Sequence, residues 1–155
     1  MKNARTAAWL AVPARWYLGL LFVSACLHKI ADPQSFALDI ATYDILPLVL
    51  VNLAAIVLPW IELTAGAMLL AGWRVRAASV LIAGMMAVFL GALVIALARG
   101  LDMSCGCFAS QGAEEDPISR LTILRDLWWL GLALFVLAFD RRLAGIDHRL
   151  RGRSA

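Results

Sequence analysis

Two cysteines one residue apart carry the most suggestive chemistry in this sequence. They are Cys105 and Cys107, in the stretch Met103-Ser104-Cys105-Gly106-Cys107-Phe108. Thiols at this spacing can close a small, strained ring. Strained or exposed disulfides exchange more readily than structural ones. The same pair could instead hold a soft ion such as Zn(II), or Cu(I) with Met103 as a further ligand. The plain alternative is two unrelated small residues in a turn. Against it, free cysteine is usually buried, whereas these two flank a glycine in a polar interruption between apolar runs. Which chemistry applies depends on the compartment the loop faces.

The remainder of the chain sets that compartment. Of 155 residues, 63% are hydrophobic and 16% charged, against about 45–50% and about 25% in average soluble domains. The length suggests a single domain over residues 1–155. The apolar excess falls into four runs, near residues 14–31, 46–72, 77–98 and 121–139. A run of about 20 apolar residues crosses a bilayer as a helix. The expected fold is an all-α integral membrane four-helix bundle, and a net charge of +3 in such a chain is not a nucleic-acid signal.

Charge placement orients the bundle. Lys2, Arg5 and Arg15 precede or open the first run. Arg74 and Arg76 lie in the tight second loop, and Arg141, Arg142, Arg149, Arg151 and Arg153 follow the last run. The first and third loops are acidic on balance, with Asp32, Asp39 and Asp44 in one and Asp102, Glu114, Glu115 and Asp116 in the other. The positive-inside rule puts both termini and the second loop in the cytoplasm. Cys105 and Cys107 then face outward, in a bacterium toward the periplasm, where thiol pairs form and exchange disulfides.

Several residues within the spans could support that chemistry. Arg15-Trp16-Tyr17 reads as an interfacial anchor. Cys26 falls near the outer end of the first span and shares a helical face with Lys29, whose charge would favour a thiolate. Val23-Ser24-Ala25-Cys26 has the outline of a lipoprotein cleavage box, but three more spans follow, and a retained helix is the reading adopted. Cys26 could also be a small packing residue, and His28 a proton carrier or an ordinary interface residue. After Asp32-Pro33, Phe36, Ile40 and Tyr43 recur at helical spacing, so a short amphipathic helix is expected in the first outer loop. Pro59 should bend the second span. Glu62, one turn later, should face the bundle interior, as intramembrane carboxylates do, with Arg15 and Arg125 as conceivable partners. Gly84 and Gly91 suggest a close helix approach in the third span, and Met85-Met86 suggests packing. Pro117-Ile118-Ser119 reads as a helix start. Arg125 could snorkel or stabilise a thiolate beneath the cysteine loop.

Taken together, these motifs resemble the methylamine utilisation protein MauE family, within the wider DoxX-like group. The resemblance rests on His28-Lys29, Tyr43 with Leu46-Pro47, Glu62 followed by Gly66, Cys105-Gly106-Cys107-Phe108 and Arg125-Asp126, and covers about residues 14–139. The family usually has Gly after that Phe, where this chain has Ala109. The thiols are intact, while a very tight turn there is less favoured. The resemblance implies a role in maturing the disulfide-rich small subunit of methylamine dehydrogenase, beside a thioredoxin-like periplasmic partner.

Three functions follow from these readings. The first is a membrane thiol–disulfide exchange protein, an oxidoreductase component in the bacterial inner membrane. Cys105 and Cys107 would shuttle between dithiol and disulfide and serve a cysteine-containing client. Cys26 would be a relay, and Lys29, Arg125 and Glu62 would support the chemistry. No motif fixes a cofactor; a quinone as electron acceptor or donor is an analogy with other four-helix membrane oxidoreductases. The second is a Cu(I)-handling protein using Met103, Cys105 and Cys107. The third is a non-catalytic membrane assembly factor with one static disulfide.

Overall fold

A computed structural model describes residues 2–100 and 120–140 of the chain. Five helices follow in order: α1 (Lys2–Ala31), α2 (Pro33–Thr42), α3 (Leu48–Ala71), α4 (Val75–Ala98) and α5 (Arg120–Phe139). Four of them contain stretches long and apolar enough to cross a membrane: Thr6–Ala31, Leu48–Ala71, Val75–Ala98 and Leu121–Phe139. The first reaches further toward the N-terminus than its apolar run alone suggests, and so takes Arg15 well inside the helix. Leu48, Val49, Val88 and Leu121 stand exposed on the outside of the bundle, as lipid-facing side chains should. Helices apolar on every side are what a bilayer solvent requires.

The long helices run alternately up and down. α1 packs most extensively on α3, and α4 on α5; contacts of α1 with α5 and of α3 with α4 close the ring. Leu18, Phe22, Leu69, Ile82, Met86 and Trp129 belong to the central core. Between helices in lipid there is little hydrophobic drive, so close approach has to come from small residues. Gly19 and Gly66 provide it. A Cβ on Gly19 would lie 2.8 Å from Leu70 Cγ and 3.0 Å from the Gly66 carbonyl, and one on Gly66 would lie 3.1 Å from the Gly19 carbonyl. The expected approach at Gly84 and Gly91 is not found: a Cβ at either meets nothing within 4 Å. Heptad spacing marks a shared helix face but not whether another helix lies against it.

Local sequence explains both ends of the bundle. α3 stops at Gly72, whose φ of 66° is the left-handed region. Gly72 N–H donates to the Leu69 carbonyl and Trp73 N–H to that of Met68, at 3.2 and 3.0 Å, the paired bonds of a glycine-terminated helix. This turn defines one end, with the C-terminus of α5. At the opposite end Asp32 caps α2 by accepting from Ser35 N–H at 3.1 Å, and Pro33 opens the helix where no backbone donor is needed. Tyr43 closes α2 and packs edge-on to Phe89, ring centroids 6.3 Å apart, next to Leu93 and Ala96. Arg99 Nη1 donates to the Asp44 carbonyl at 3.2 Å, fastening the end of α4 to the α2–α3 link. α3 continues as helix through the buried Pro59.

The glycine crossing yields a test. Gly66→Leu should lower the unfolding free energy in detergent by about 1–3 kcal/mol, as for other overpacked cores, whereas Gly91→Leu should leave it near the wild-type value. Equal effects at the two positions would show that the α1–α3 approach does not depend on Gly66.

Candidate functional site

The ionisable side chains inside this bundle are gathered into separate groups. Arg15 is buried, and its Nη1 donates to Asp140 Oδ2 at 3.1 Å, with both side chains 1% exposed. The pair joins α1 to the end of α5 near the α3–α4 turn. Arg15 is therefore not an interfacial anchor, although its neighbours Trp16 and Tyr17 are exposed. Nor is it the partner of Glu62. Burial of a cation here is supported by a carboxylate from a residue 125 positions away, which local sequence reading had no means of finding.

Glu62 is bound by Lys29. The ammonium donates to Oε1 at 3.0 Å and to Oε2 at 3.1 Å, with the side chains 9% and 15% exposed. Lys29 also lies 4.8 Å from the centre of the Phe36 ring. One cation thus ties α1 to α3 and to α2. Cys26 is fully buried one turn before Lys29. Its Sγ donates to the Val23 carbonyl at 3.1 Å. With Lys29 held by both oxygens of Glu62, the positive field available to a thiolate at Cys26 is compensated, so shared helical spacing does not by itself activate that thiol.

Arg125 is also occupied, though not by Glu62. Its Nε donates to Asp126 Oδ1 at 3.4 Å, and its guanidinium lies 4.9 Å from the Trp129 ring centre. Asp126 is 1% exposed, and its Oδ2 has no hydrogen-bond partner among the described residues. Trp129 Nε1 donates to Tyr17 Oη at 3.2 Å.

Lys29, Glu62 and Asp126 also stand in the wall of a cavity of about 590 Å³, beside Asp39 and Tyr43 of α2. The other walls are overwhelmingly apolar and come mainly from α1, α2 and α4, Gly84 among them. The cavity is within the usual size of small-molecule sites, and a few polar groups on apolar walls are their usual character. The α2 face carrying Phe36, Ile40 and Tyr43 lines it, so the expected amphipathic helix turns its apolar face to the cavity. Burial raises the Asp39 carboxyl above the ordinary carboxylate range, against the opposing charges of His28 and Lys29. Burial chiefly, with the charges of Asp39 and Asp126 adding to it, pushes Tyr43 up to about 12. Met103, Cys105 and Cys107, the acidic stretch 111–116, the expected helix start at Pro117 and the arginines after 140 lie outside the described residues.

This arrangement defines a multi-pass membrane protein: four apolar helices, ion pairs inside the bundle, and a cavity roofed by a short amphipathic helix. The comparisons place it more narrowly. The profile of the family described as methylamine utilisation protein MauE matches residues 7–139. Methylamine utilization protein MauE of Paracoccus denitrificans is 33% identical over 123 residues, covering 79% of this chain and 65% of that protein. Its counterpart in Methylophilus methylotrophus is 32% identical over 140 residues, covering 89% and 73%. The chain belongs to the MauE family. It spans about two thirds to three quarters of the length of these relatives. No solved structure matches it.

Two measurements probe the site. Glu62→Leu leaves a buried ammonium without its carboxylate and should cost about 3–5 kcal/mol in detergent unfolding. Lys29→Met/Glu62→Leu should recover most of that loss, and Glu62→Gln, which keeps an acceptor, should lose less than Leu. A double variant no more stable than the additive sum of the singles would remove the coupling. The second concerns Tyr43. A phenol whose folded value is raised contributes stability that is complete below its ordinary value near 10 and is lost as pH rises through about 12. In a Tyr17→Phe variant, which retains Tyr43 as its one tyrosine, phenolate absorbance should emerge only around pH 12 while the bundle stays folded. Ionisation near 10 before unfolding would show that Tyr43 is not buried.

Proposed function

We propose that this protein is a membrane thiol–disulfide exchange component that supports maturation of a periplasmic protein, with the methylamine dehydrogenase small subunit or a related disulfide-rich client as its substrate. The observation that carries the reading is the Cys105-Gly106-Cys107-Phe108 motif in a chain that belongs to the MauE family. The names of the relatives, which are methylamine utilisation proteins, support the pathway. The distribution of basic residues supports an inner-membrane orientation with both termini cytoplasmic and the cysteine loop periplasmic.

In this reading Cys105 and Cys107 form the exchanging pair. A client thiolate attacks one sulfur of their disulfide, and the other sulfur leaves as a thiolate. The client's second thiolate then attacks the mixed disulfide. The client gains a disulfide, and the pair takes up two electrons as a dithiol. Alternatively, a thiolate of the reduced pair attacks a wrong disulfide of the client and frees one client thiolate; another client thiolate then attacks the mixed disulfide, forms a different client disulfide and returns the pair as the dithiol. An oxidised thioredoxin-like periplasmic partner reoxidises the pair by the same exchange. The small ring closed across Gly106 favours transfer from the pair to the client, because strain makes a disulfide easier to reduce.

The test is non-reducing electrophoresis of Cys105→Ser and Cys107→Ser variants expressed with their native periplasm. One of them should accumulate a mixed disulfide with a partner or client, identified by mass spectrometry. The double variant should trap nothing yet retain its folded bundle. A membrane-impermeant thiol reagent should label the reduced pair in intact cells. Labelling that requires broken membranes would overturn the orientation, and single variants that never capture a partner would overturn the exchange.

A further inference from the structure

The cavity beneath α2 is not used by exchange at the cysteine loop, and its chemistry indicates an occupant. We propose that it binds a neutral, ring-headed, apolar-tailed molecule from the bilayer, an isoprenoid quinol, with a ring hydroxyl donating to the Asp126 carboxyl. Naming a redox-active ring rests on the thiol-exchange reading. The existence of the site rests on the cavity alone.

The volume of about 590 Å³ and the nearly continuous apolar lining suit a molecule that partitions into lipid. α4 contributes Val80, Leu81 and Val88 to that lining, and all three are also exposed on the outside of the bundle. The cavity is therefore continuous with the lipid-facing surface, and the bilayer is its source of ligands. The polar groups restrict the head. An anionic phosphate would need a cation, but Lys29 is already held by Glu62 and Arg125 by Asp126. A cationic head would need an uncompensated carboxylate, but Glu62 is held by Lys29, Asp126 by Arg125, and Asp39 lies beside the charges of His28 and Lys29. The aromatic faces of Phe36 and Trp129 are likewise taken by Lys29 and Arg125. What the wall offers is an acceptor: Asp126, 1% exposed, with Oδ2 lacking a partner among the described residues. A buried acceptor left unsatisfied is costly, and a hydroxyl donor offsets that cost. Tyr43, Phe89 and Trp129 in the same lining suit a flat ring.

The experiment uses the full chain carrying Cys105→Ser and Cys107→Ser, in phosphatidylcholine nanodiscs, titrated calorimetrically with decylubiquinol. Because that protein cannot exchange disulfides, binding is tested apart from the exchange reading. Saturable one-to-one binding is expected, with decylbenzene, which lacks the hydroxyls, at least tenfold weaker. Asp126→Leu should weaken binding about tenfold or more, the usual effect of losing a hydrogen bond to a charged group. Gly84→Trp should abolish binding, since Gly84 lines the cavity and a Cβ there meets nothing within 4 Å, so the fold accepts the side chain. Gly91→Trp, equally open but outside the lining, should bind as the parent does. Absent saturation, binding unchanged by Gly84→Trp, decylbenzene binding as tightly as decylubiquinol, or displacement by added phosphatidylglycerol would each overturn the proposal. The last would make a phospholipid the occupant.

Discussion

An ammonium held by a carboxylate in an apolar interior is the interaction on which the ligand-sized part of this bundle depends. Lys29 and Glu62 are each too costly to bury alone, and together they must keep the geometry that lets them share their charge. That geometry fixes the register of α1 against α3. Through the Phe36 ring it also brings α2 down over the same end. The cavity begins where this pair ends. Its walls are apolar because lipid-spanning helices are apolar, and among its few polar groups Lys29 and Glu62 hold each other.

The second buried pair, Arg15 with Asp140, does the corresponding work at the other end. Arg15 and Lys29 lie fourteen residues apart on α1, roughly 21 Å along a helix rising about 1.5 Å per residue, most of the about 30 Å hydrocarbon core. Between them, Gly19 and Gly66 let α1 and α3 approach almost backbone to backbone. α1 is therefore held against its neighbours by charge at two levels and by close packing between them. α3 and α4, although joined by a tight turn, contact each other least of the neighbouring pairs in the ring. The space that opens there, away from the turn, is the cavity. Structural stiffness and room for a ligand thus divide between two seams of one bundle.

Much of the fold was legible from composition and punctuation. A run of apolar residues as long as a bilayer is thick has few alternatives to a helix, so the four spans were fixed by length and solvent. Asp32-Pro33 marked the start of α2 because a capping carboxylate followed by proline satisfies a helix terminus through local chemistry alone. Gly72 ended α3 for an equally local reason, its left-handed φ. The residues on which the MauE resemblance rested, including Glu62 with Gly66 and Arg125-Asp126, were readable because residue type and spacing are properties of the chain itself.

The pairings were not readable, because charge attraction and close approach act across the bundle rather than along the chain. Arg15 looked like a headgroup anchor and is buried against Asp140; Glu62 suggested an arginine and found Lys29. Gly84 and Gly91 had the spacing of a packing seam and face open space, while Gly19 and Gly66, on different helices, form the seam. Helices apolar all round give no internal sign of which face meets which neighbour. The sequence alone determined that this chain crosses a membrane four times and carries two closely spaced thiols. Only the tertiary structure decided which charges neutralise one another, which glycines touch and where a ligand-sized space remains, since those depend on distances between residues that sequence separation does not encode.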